Sequence, residues 1–167
     1  MKKRRHPRIV HLAFLIFLQF AGLKIHAQKI YVEDGLVFEQ YNHEYGLSHN
    51  HIFNFIKDSD GFLWLATPDG VNILDGKTAK IFKGYSNKND TFRGRTVLSL
   101  FEDSKGNIFC GTKAYGLNIH NRSSGNFINI NEPLLTNALS KSIKSIVQID
   151  NQNYALLTEK EIIYNYG

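Results

Sequence analysis

The sequence predicts an all-β fold, a partial β-propeller of about three four-stranded blades that follows a signal peptide helix. A ten-residue phrase that begins at Asp58 recurs 45 residues later at Asp103, and a weaker third copy runs over residues 143–164. Each copy consists of short stretches of alternating apolar and polar residues, which indicate strands, separated by turn residues. A repeat period of roughly 40 to 50 residues is typical of propeller blades.

The first 27 residues are predicted to be a secretory signal peptide. A basic stretch over residues 2–8 precedes an apolar run over residues 9–23, and the small residue Ala27 stands before Gln28. This is the order of the basic, apolar and cleavage regions of a signal peptide, so we expect cleavage after Ala27 and export of residues 28–167.

A permanent transmembrane anchor is the alternative interpretation of the same N-terminal stretch. The apolar run is shorter than the roughly 20 residues that span a bilayer. It is also interrupted by His11 and Gln19. These features favour the signal peptide, and both interpretations place the rest of the chain outside the cytoplasm.

The charge of the chain is concentrated in this N-terminal segment. Six of the 20 Lys and Arg residues and none of the 15 acidic residues lie in the first 27 positions, so 14 basic side chains face 15 acidic ones in the remainder. A net charge of −1 on that remainder gives no basic surface for a phosphate backbone. We therefore expect no direct binding of nucleic acid.

Cys110 is the only cysteine, so no internal disulfide can form. The fold must be held by packing, because a lone thiol cannot staple a secreted scaffold. We expect Cys110 to be a small buried residue of a strand rather than a nucleophile.

The repeat aligns the two clearer copies residue by residue, with a one-residue insertion after the threonine. Within each copy we expect a first strand, a tight turn with glycine at positive φ, and three further strands. The predicted strands of the first copy are residues 52–57, 62–66, 71–74 and 79–82, and those of the second copy include residues 97–102, 117–120 and 127–130. The copies span about residues 41–83, 92–130 and 140–167. The residues expected to define the repeat are Asp58, Gly61, Trp64, Thr67 and Gly70 in the first copy and Asp103, Gly106, Phe109, Thr112 and Gly116 in the second.

Three blades do not close a ring, because propellers need roughly four to eight. The chain is therefore expected to be a fragment of a larger protein, with a truncated product as the alternative.

The phrase around the first copy resembles the two-component regulator propeller repeat. The resemblance rests on Gly46-Leu47-Ser48, Asn50, the strand that ends before Asp58, and then Gly61, Leu63-Trp64-Leu65-Ala66-Thr67 and Gly70-Val71. The second copy has Phe109 where the family has Trp, and the third copy lacks the glycine of the turn.

The resemblance implies the periplasmic sensor region of a hybrid two-component histidine kinase of Bacteroidetes type. It implies partners as well: the remaining propeller blades, downstream signalling domains, and an extracellular small-molecule or oligosaccharide ligand. No cofactor is implied. The kinase and receiver motifs of full members are not found in this sequence.

Three groups of residues could be taken for functional sites. His43, His49 and His51 with Glu44 could bind a metal, but their position before the first strand favours a polar loop. The phrase that starts at Asp58 resembles the start of a calcium loop, but Phe62 stands where an oxygen ligand is required. Trp64 could stack on a sugar, but its place in the middle of a strand favours burial between blades. We expect no metal site and no catalytic residue.

The leading functional hypothesis is a non-catalytic, exported sensory or ligand-binding segment. The alternatives are a secreted propeller enzyme that acts on polysaccharide, which needs an acid and a base near the central channel, and a truncated stub without function.

Overall fold

The computed structural model describes residues 30–33, 35–76, 78–84, 92–130 and 142–164, without the side chains of residues 30–33 and 36–39. The predicted signal peptide and its cleavage site lie outside the described residues. Contacts divide the chain into a unit of residues 1–40 and a unit of residues 41–167. In the first unit, β1 (Ile30–Glu33) pairs with β2 (Leu36–Glu39) in an antiparallel hairpin that the repeat did not predict.

The second unit begins with a short 3-10 helix, His43–Tyr45, and continues as three antiparallel sheets in chain order. Asn42 caps the helix, since its side chain accepts a hydrogen bond from the N–H of Glu44, and Gly46 ends it in the left-handed conformation. None of the helices among the described residues is long and apolar enough to cross a membrane.

The first blade contains β3 (Asn54–Lys57), β4 (Leu63–Thr67), β5 (Gly70–Leu74) and β6 (Ala79–Phe82). The second blade contains β7 (Val97–Glu102), β8 (Ile108–Thr112), β9 (Leu117–His120) and β10 (Phe127–Ile130). In the third blade, β11 (Ser145–Gln148), β12 (Tyr154–Leu157) and β13 (Ile162–Tyr164) form a sheet of three strands among the described residues. The predicted all-β, blade-by-blade architecture is confirmed.

Neighbouring strands pair in sequence order in every blade, so each blade is a simple meander. Trp64 pairs with Ile73 in the first blade, and Phe109 pairs with Ile119 at the corresponding place in the second. Because directly paired residues lie on the same face of a sheet, this register assigns each face of each blade.

Apolar side chains fill the spaces between consecutive blades. The first core joins the first and second blades and includes Trp64, Ala66, Val97, Ile108 and Phe127. A second core joins the second and third blades around buried residues of both, namely Phe109, Leu117, Ile143 and Ile146. On the opposite side of the first blade, Leu65 and Leu74 pack under Leu47 from the segment before β3.

The first and second blades therefore each bury the face that carries the Trp64 position against the blade that follows. Burial of apolar area is the main favourable contribution to such stacking.

Candidate functional site

The turn between the first two strands of a blade is built in the same way in the first two copies. Asp58 Oδ1 accepts hydrogen bonds from the N–H groups of Asp60 and Phe62 at 3.0 and 2.8 Å. Asp103 Oδ1 accepts the corresponding bonds from Lys105 and Asn107 at 2.9 and 2.8 Å. The following glycines, Gly61 and Gly106, have φ of 93° and 79°, which non-glycine residues rarely adopt.

The third copy makes the turn differently. The strand pairing places Ile149 where the other copies have aspartate, and Asp150 is one residue later. Asp150 Oδ1 accepts from the N–H groups of Gln152 and Asn153, both at 2.9 Å. The hydrogen bonds of Asn153 and the backbone lower the pKa of Asp150. In the third copy Asp150 thus holds this turn, which contains no glycine.

The second carboxylate oxygen of the turn aspartate is bound by a side chain from the next strand. Trp64 Nε1 donates to Asp58 Oδ2 at 2.7 Å, and the indole is only 3% exposed. In the second blade, Asn107 Nδ2 donates to Asp103 Oδ2 at 2.9 Å. The Tyr154 hydroxyl of the third blade donates to the same oxygen at 3.3 Å. Trp64 is therefore a core residue, as its place in the strand predicted.

The threonine at the end of the second strand, or directly after it in the third blade, closes the next turn in all three blades. Thr67 Oγ1 donates to the Gly70 carbonyl at 2.9 Å, and Thr112 Oγ1 donates to the Gly116 carbonyl at 2.9 Å. Thr158 Oγ1 donates to the Glu161 carbonyl at 3.0 Å. The ten repeat residues thus occupy corresponding turn and core positions in the first two blades.

Two fully buried asparagines were not predicted from the sequence, because a polar residue two positions after a turn glycine looks like a surface residue. Asn72 Oδ1 accepts from the Ser48 N–H at 2.8 Å, and Asn72 Nδ2 donates to Ser48 Oγ at 2.7 Å. Asn118 makes the corresponding pair with the backbone of Arg93, at 2.9 Å in both directions. Their identical place in both copies was the available signal.

Consecutive blades are also joined by a polar contact at the first turn, which we call the interblade latch. The Ser59 N–H donates to both carboxylate oxygens of Glu102 at 3.0 Å, and Ser59 Oγ donates to Glu102 Oε1 at 2.5 Å. In the next pair of blades, the Ser104 N–H donates to Gln148 Oε1 at 2.9 Å, and Gln148 Nε2 donates to Ser104 Oγ at 3.0 Å. An interblade latch of this kind therefore joins both pairs of consecutive blades.

Asp69 joins the second turn of the first blade to the start of the second blade. Lys83 Nζ donates to Asp69 Oδ2 at 3.0 Å, and Arg95 Nη2 donates to Asp69 Oδ1 at 2.5 Å. Partial burial by itself raises the pKa of Asp69, but the hydrogen bonds from Arg95 and Lys83 outweigh it and hold the pKa below its usual range.

Cys110 lies in β8 and is fully buried in the core between the first two blades. Burial strongly raises the pKa of its thiol, because desolvation disfavours the thiolate. A thiol in this state is a poor nucleophile, in agreement with the prediction of a buried strand residue.

The histidines before the first strand are committed to local contacts. His43 Nδ1 lies 2.7 Å from the Leu47 carbonyl oxygen, His49 Nδ1 accepts from the His51 N–H at 2.9 Å, and the His51 ring lies 4.6 Å from the Phe53 ring. Within the described ranges, no three side chains of His, Cys, Asp or Glu are grouped so that they could hold a metal ion.

A shallow cavity of about 270 Å³ lies between the first two blades at the rim that carries the first turns. Its aromatic lining includes Phe62, Trp64 and His120, whose ring centroid lies 5.2 Å from that of Trp64. Burial, aided by the charge of Lys80, lowers the pKa of His120. Two charged residues of its lining, Arg122 and Asp60, form an ion pair with each other.

Part of the first blade matches a known protein family. Residues 46–69 match the family model described as two component regulator propeller. These residues run from the glycine that ends the 3-10 helix to the turn after β4, the segment held by Asp58, Thr67 and Asn72. Residues 46–69 of the first blade are therefore similar to the two-component regulator propeller repeat. The resemblance drawn from the sequence is thereby confirmed.

A solved structure shares the fold of these repeats. The chain is similar to the extracellular domain of the hybrid two component system BT3049 from B. thetaiotaomicron, with a TM-score of 0.66 and 21% sequence identity, over 83% of this chain and 19% of that one. The chain thus spans about a fifth of the length of that protein's domain. The extracellular domain of the one component system BT4673 from the same organism matches with a TM-score of 0.39 and 15% identity, over 79% of this chain and 23% of that one. No curated protein matches the chain.

Proposed function

We propose that the chain is the exported, non-catalytic sensory segment of a two-component signalling protein, and that it contributes to the recognition of an extracellular oligosaccharide. The observation that carries this proposal is the two-component regulator propeller repeat at residues 46–69, set in a stack of blades that shares its fold with the extracellular domain of a hybrid two component system. The ligand class follows from the family resemblance. The remaining blades and the downstream signalling domains are the proposed partners.

The use of the carboxylates supports a non-catalytic role. A glycosidase needs two carboxyl groups that are free to act on one bond. In the described part of the chain, Asp58 is bound by Trp64, Asp103 by Asn107, and Asp69 by Lys83 and Arg95. Each of these groups has a structural task, which favours a sensor over a secreted polysaccharide-degrading enzyme.

Export to the periplasm is the second part of the proposal. It is supported by the predicted signal peptide over residues 1–27 and by the extracellular origin of the similar domain. Expression of the full chain followed by N-terminal sequencing of the periplasmic product tests it. We expect a product that starts at Gln28, and retention of the intact chain in the membrane fraction would favour an anchor.

The signalling role is tested in a bacterium that carries the gene. An in-frame deletion of codons 92–130 removes one whole blade, and the transcriptional response of the cells to a panel of oligosaccharides is compared with that of the parent. We expect loss of induction by one glycan class with no change for the others, because the blade contributes to a single sensor.

The rival enzyme hypothesis predicts a different result in a parallel assay. The exported chain is incubated with the same oligosaccharides, and new reducing ends are measured. We expect none, so release of reducing ends by the chain would contradict the sensor proposal. An unchanged transcriptional response to every glycan would favour the truncated stub.

A further inference from the structure

The outward face of the third blade exposes a continuous apolar surface, which we call the open face. It is formed by Val147, Leu157, Ile162 and Tyr164, which are 54%, 45%, 54% and 46% exposed. The paired strands bring them together, since Leu157 pairs with Ile162 and Ala155 pairs with Tyr164. Exposed large apolar side chains that adjoin one another in this way mark an interaction surface more often than scattered ones do.

Strand pairing shows which residues of the second blade correspond to the open face. Ser145 pairs with Leu157 as Ser99 pairs with Gly111, and Ala155 pairs with Tyr164 as Phe109 pairs with Ile119. The members of the open face, with Ser145 and Ala155, are therefore equivalent to Ser99, Phe101, Phe109, Gly111, Leu117 and Ile119.

In the second blade this set of residues forms the interface with the third blade. Phe109 and Leu117 are buried with Ile143 and Ile146, and Phe101 and Ile119 pack against the same cluster. The Phe109 ring lies 4.8 Å from the Tyr154 ring, and Ser99 Oγ donates to the Ile143 carbonyl at 2.9 Å. The first blade uses the equivalent face, with Trp64 and Ala66, against the second blade.

We propose that the open face binds one further four-stranded blade in the register of the two existing interfaces. This inference rests on the part of the proposed function that assigns the chain to a propeller. The open face continues an interface that is already used twice in the same chain. Ser145, which lies beside it, is equivalent to Ser99 and is placed to donate a hydrogen bond to the backbone of the incoming blade. An exposed apolar sheet face is stabilised by such a partner through burial of its side chains.

The open face also restricts which blade fits, because its large and small residues are exchanged. The first two blades place a large ring before a small residue, Trp64 before Ala66 and Phe109 before Gly111, whereas the third blade places Ala155 before Leu157. A Cβ added at Gly111 would lie 2.7 Å from the Ile143 carbonyl oxygen and 2.8 Å from the Ile143 Cβ.

Leu157 is equivalent to Gly111, where the second interface has no room for a side chain. The partner blade therefore carries a smaller residue at the place of Ile143, together with a bulkier residue opposite Ala155, at the place of Tyr154. An exact copy of the third blade would not pack well, since overpacking of a core costs about 1–3 kcal/mol. The open face thus selects a blade of complementary shape.

Tandem chains provide the test. A second copy of residues 120–164 is appended after Tyr164, so that it supplies an outer strand, a connection and one more blade. Three tandems are compared: the unmodified one, one with Ile143→Ala in the appended copy, and one with Ala155→Phe and Leu157→Gly in the original third blade. The last restores the face of the second blade and fits an unmodified Ile143.

Thiol labelling of Val147→Cys reports docking, because Cys110 is fully buried and adds no background. Phe55→Cys, on the other side of the stack and 67% exposed in the parent, is the matched control. We expect at least a tenfold slower labelling at position 147 in the two modified tandems than in the unextended chain. We expect a smaller reduction in the unmodified tandem and no change at position 55.

Each other outcome overturns the inference. Unchanged labelling at position 147 in all three tandems would contradict docking, and equal protection in all three would contradict the shape requirement. Concentration-dependent protection of both positions in the unextended chain would identify a second copy as the occupant. The labelling rates test only the docking of a further blade. The sensor proposal is tested separately by the transcriptional response to oligosaccharides.

Discussion

Trp64 is held by two kinds of contact, a buried indole ring and a hydrogen bond from Nε1 to Asp58. The second blade shows that the ring alone is sufficient at this position, because Phe109 occupies it and Asn107 takes over the bond to the turn aspartate. The two contributions of Trp64 are therefore separable by substitution.

We expect Trp64→Phe to reduce the free energy of unfolding by about 1–3 kcal/mol, since it leaves a part-buried carboxylate oxygen without its donor. Trp64→Ala is expected to cost about 3–5 kcal/mol, because it also creates a cavity between two blades. Urea denaturation followed by circular dichroism measures both. Phe109→Tyr in the second blade is a control for ring substitution, and equal effects of Trp64→Phe and Trp64→Ala would contradict the role of the hydrogen bond.

Asp69 makes the stability of the first interface depend on pH. Its pKa in the folded state lies below the ordinary value of 3.8 because of its hydrogen bonds to Arg95 and Lys83. A lowered folded-state pKa stabilises the protein above the unfolded pKa, and this stabilisation is lost as the pH falls through the folded value.

The wild-type chain is therefore expected to lose more stability than Asp69→Asn between pH 6 and pH 3. The difference is expected to be below about 1 kcal/mol, because the side chains of both basic partners, Arg95 and Lys83, remain substantially exposed to solvent. Urea midpoints at the two pH values provide the measurement, with Arg95→Leu as the control that removes the main partner. A larger acid-induced loss in Asp69→Asn than in the wild type would overturn this assignment.

For single residues, the sequence predicted which positions recur between the copies and which apolar side chains lie in strands. The burial of Trp64 and Cys110 followed from their places in predicted strands. Asn72 and Asn118 did not, because a buried amide is recognised only when its partners, Ser48 and Arg93, are brought to it by the fold. A polar side chain taken alone carries no sequence signal of burial, so the recurrence of asparagine at the same place in both copies was the one signal available.

At the scale of the elements, Gly111 allows the third blade to approach β8. The added Cβ of Gly111→Ala would meet the backbone and side chain of Ile143 and also Ser99 Oγ. We expect a loss of about 1–3 kcal/mol from overpacking. Ala66→Gly, at the equivalent place of the first blade, is the matched control, and it acts through lost contacts and not through a clash.

Ser99→Ala in the Gly111→Ala background separates the two contacts. It removes the hydroxyl but leaves Ile143, so we expect only partial recovery of the urea midpoint. Full stability of Gly111→Ala alone would show that β8 and the third blade are farther apart than in this structure.

The interblade latch makes a second prediction about the elements. Glu102→Gln is expected to be nearly neutral, because Gln148 performs the same task in the next pair of blades and the lost ion pair of Glu102 with Arg122 is partly exposed. Glu102→Ala is expected to lower stability by about 0.5–1.5 kcal/mol, since it removes the acceptor of the Ser59 N–H. Differential scanning calorimetry of both variants measures the effect, and equal melting temperatures for the two variants would contradict the latch.

Several strand bounds could be predicted from the repeat because turn glycines and alternation define them. The predicted strands at residues 79–82, 97–102, 117–120 and 127–130 agree with the structure. β3 begins at Asn54 and not at residue 52, because Ile52 packs with the segment that covers the first blade. The hairpin of β1 and β2 lies before the first copy, where no internal comparison could reveal it.

The stability of the three blades is expected to differ along the chain, with the third blade the least stable. The first blade is covered by the segment of Leu47 on one side and by the second blade on the other, and the second blade lies between two neighbours. The third blade has one packed face and the open face. In repeat proteins the stability of each unit depends on its nearest-neighbour interfaces.

The sequence predicted the number of blades but not the contacts between them. The Ser59–Glu102 and Ser104–Gln148 pairs join residues 43 and 44 positions apart. Such pairs become visible only once the blades are stacked. The exchanged sizes of Ala155 and Leu157 likewise acquire a meaning only beside the equivalent positions Phe109 and Gly111.

Hydrogen–deuterium exchange of the exported chain, read by mass spectrometry at peptide resolution, tests the stack of blades most directly. We expect the slowest exchange in β4, β5 and β8, and exchange at least tenfold faster in β12, because the third blade opens locally at a lower free energy. Equal protection of β4, β8 and β12, or faster exchange in β8 than in β12, would contradict a stack of three blades whose last face is open.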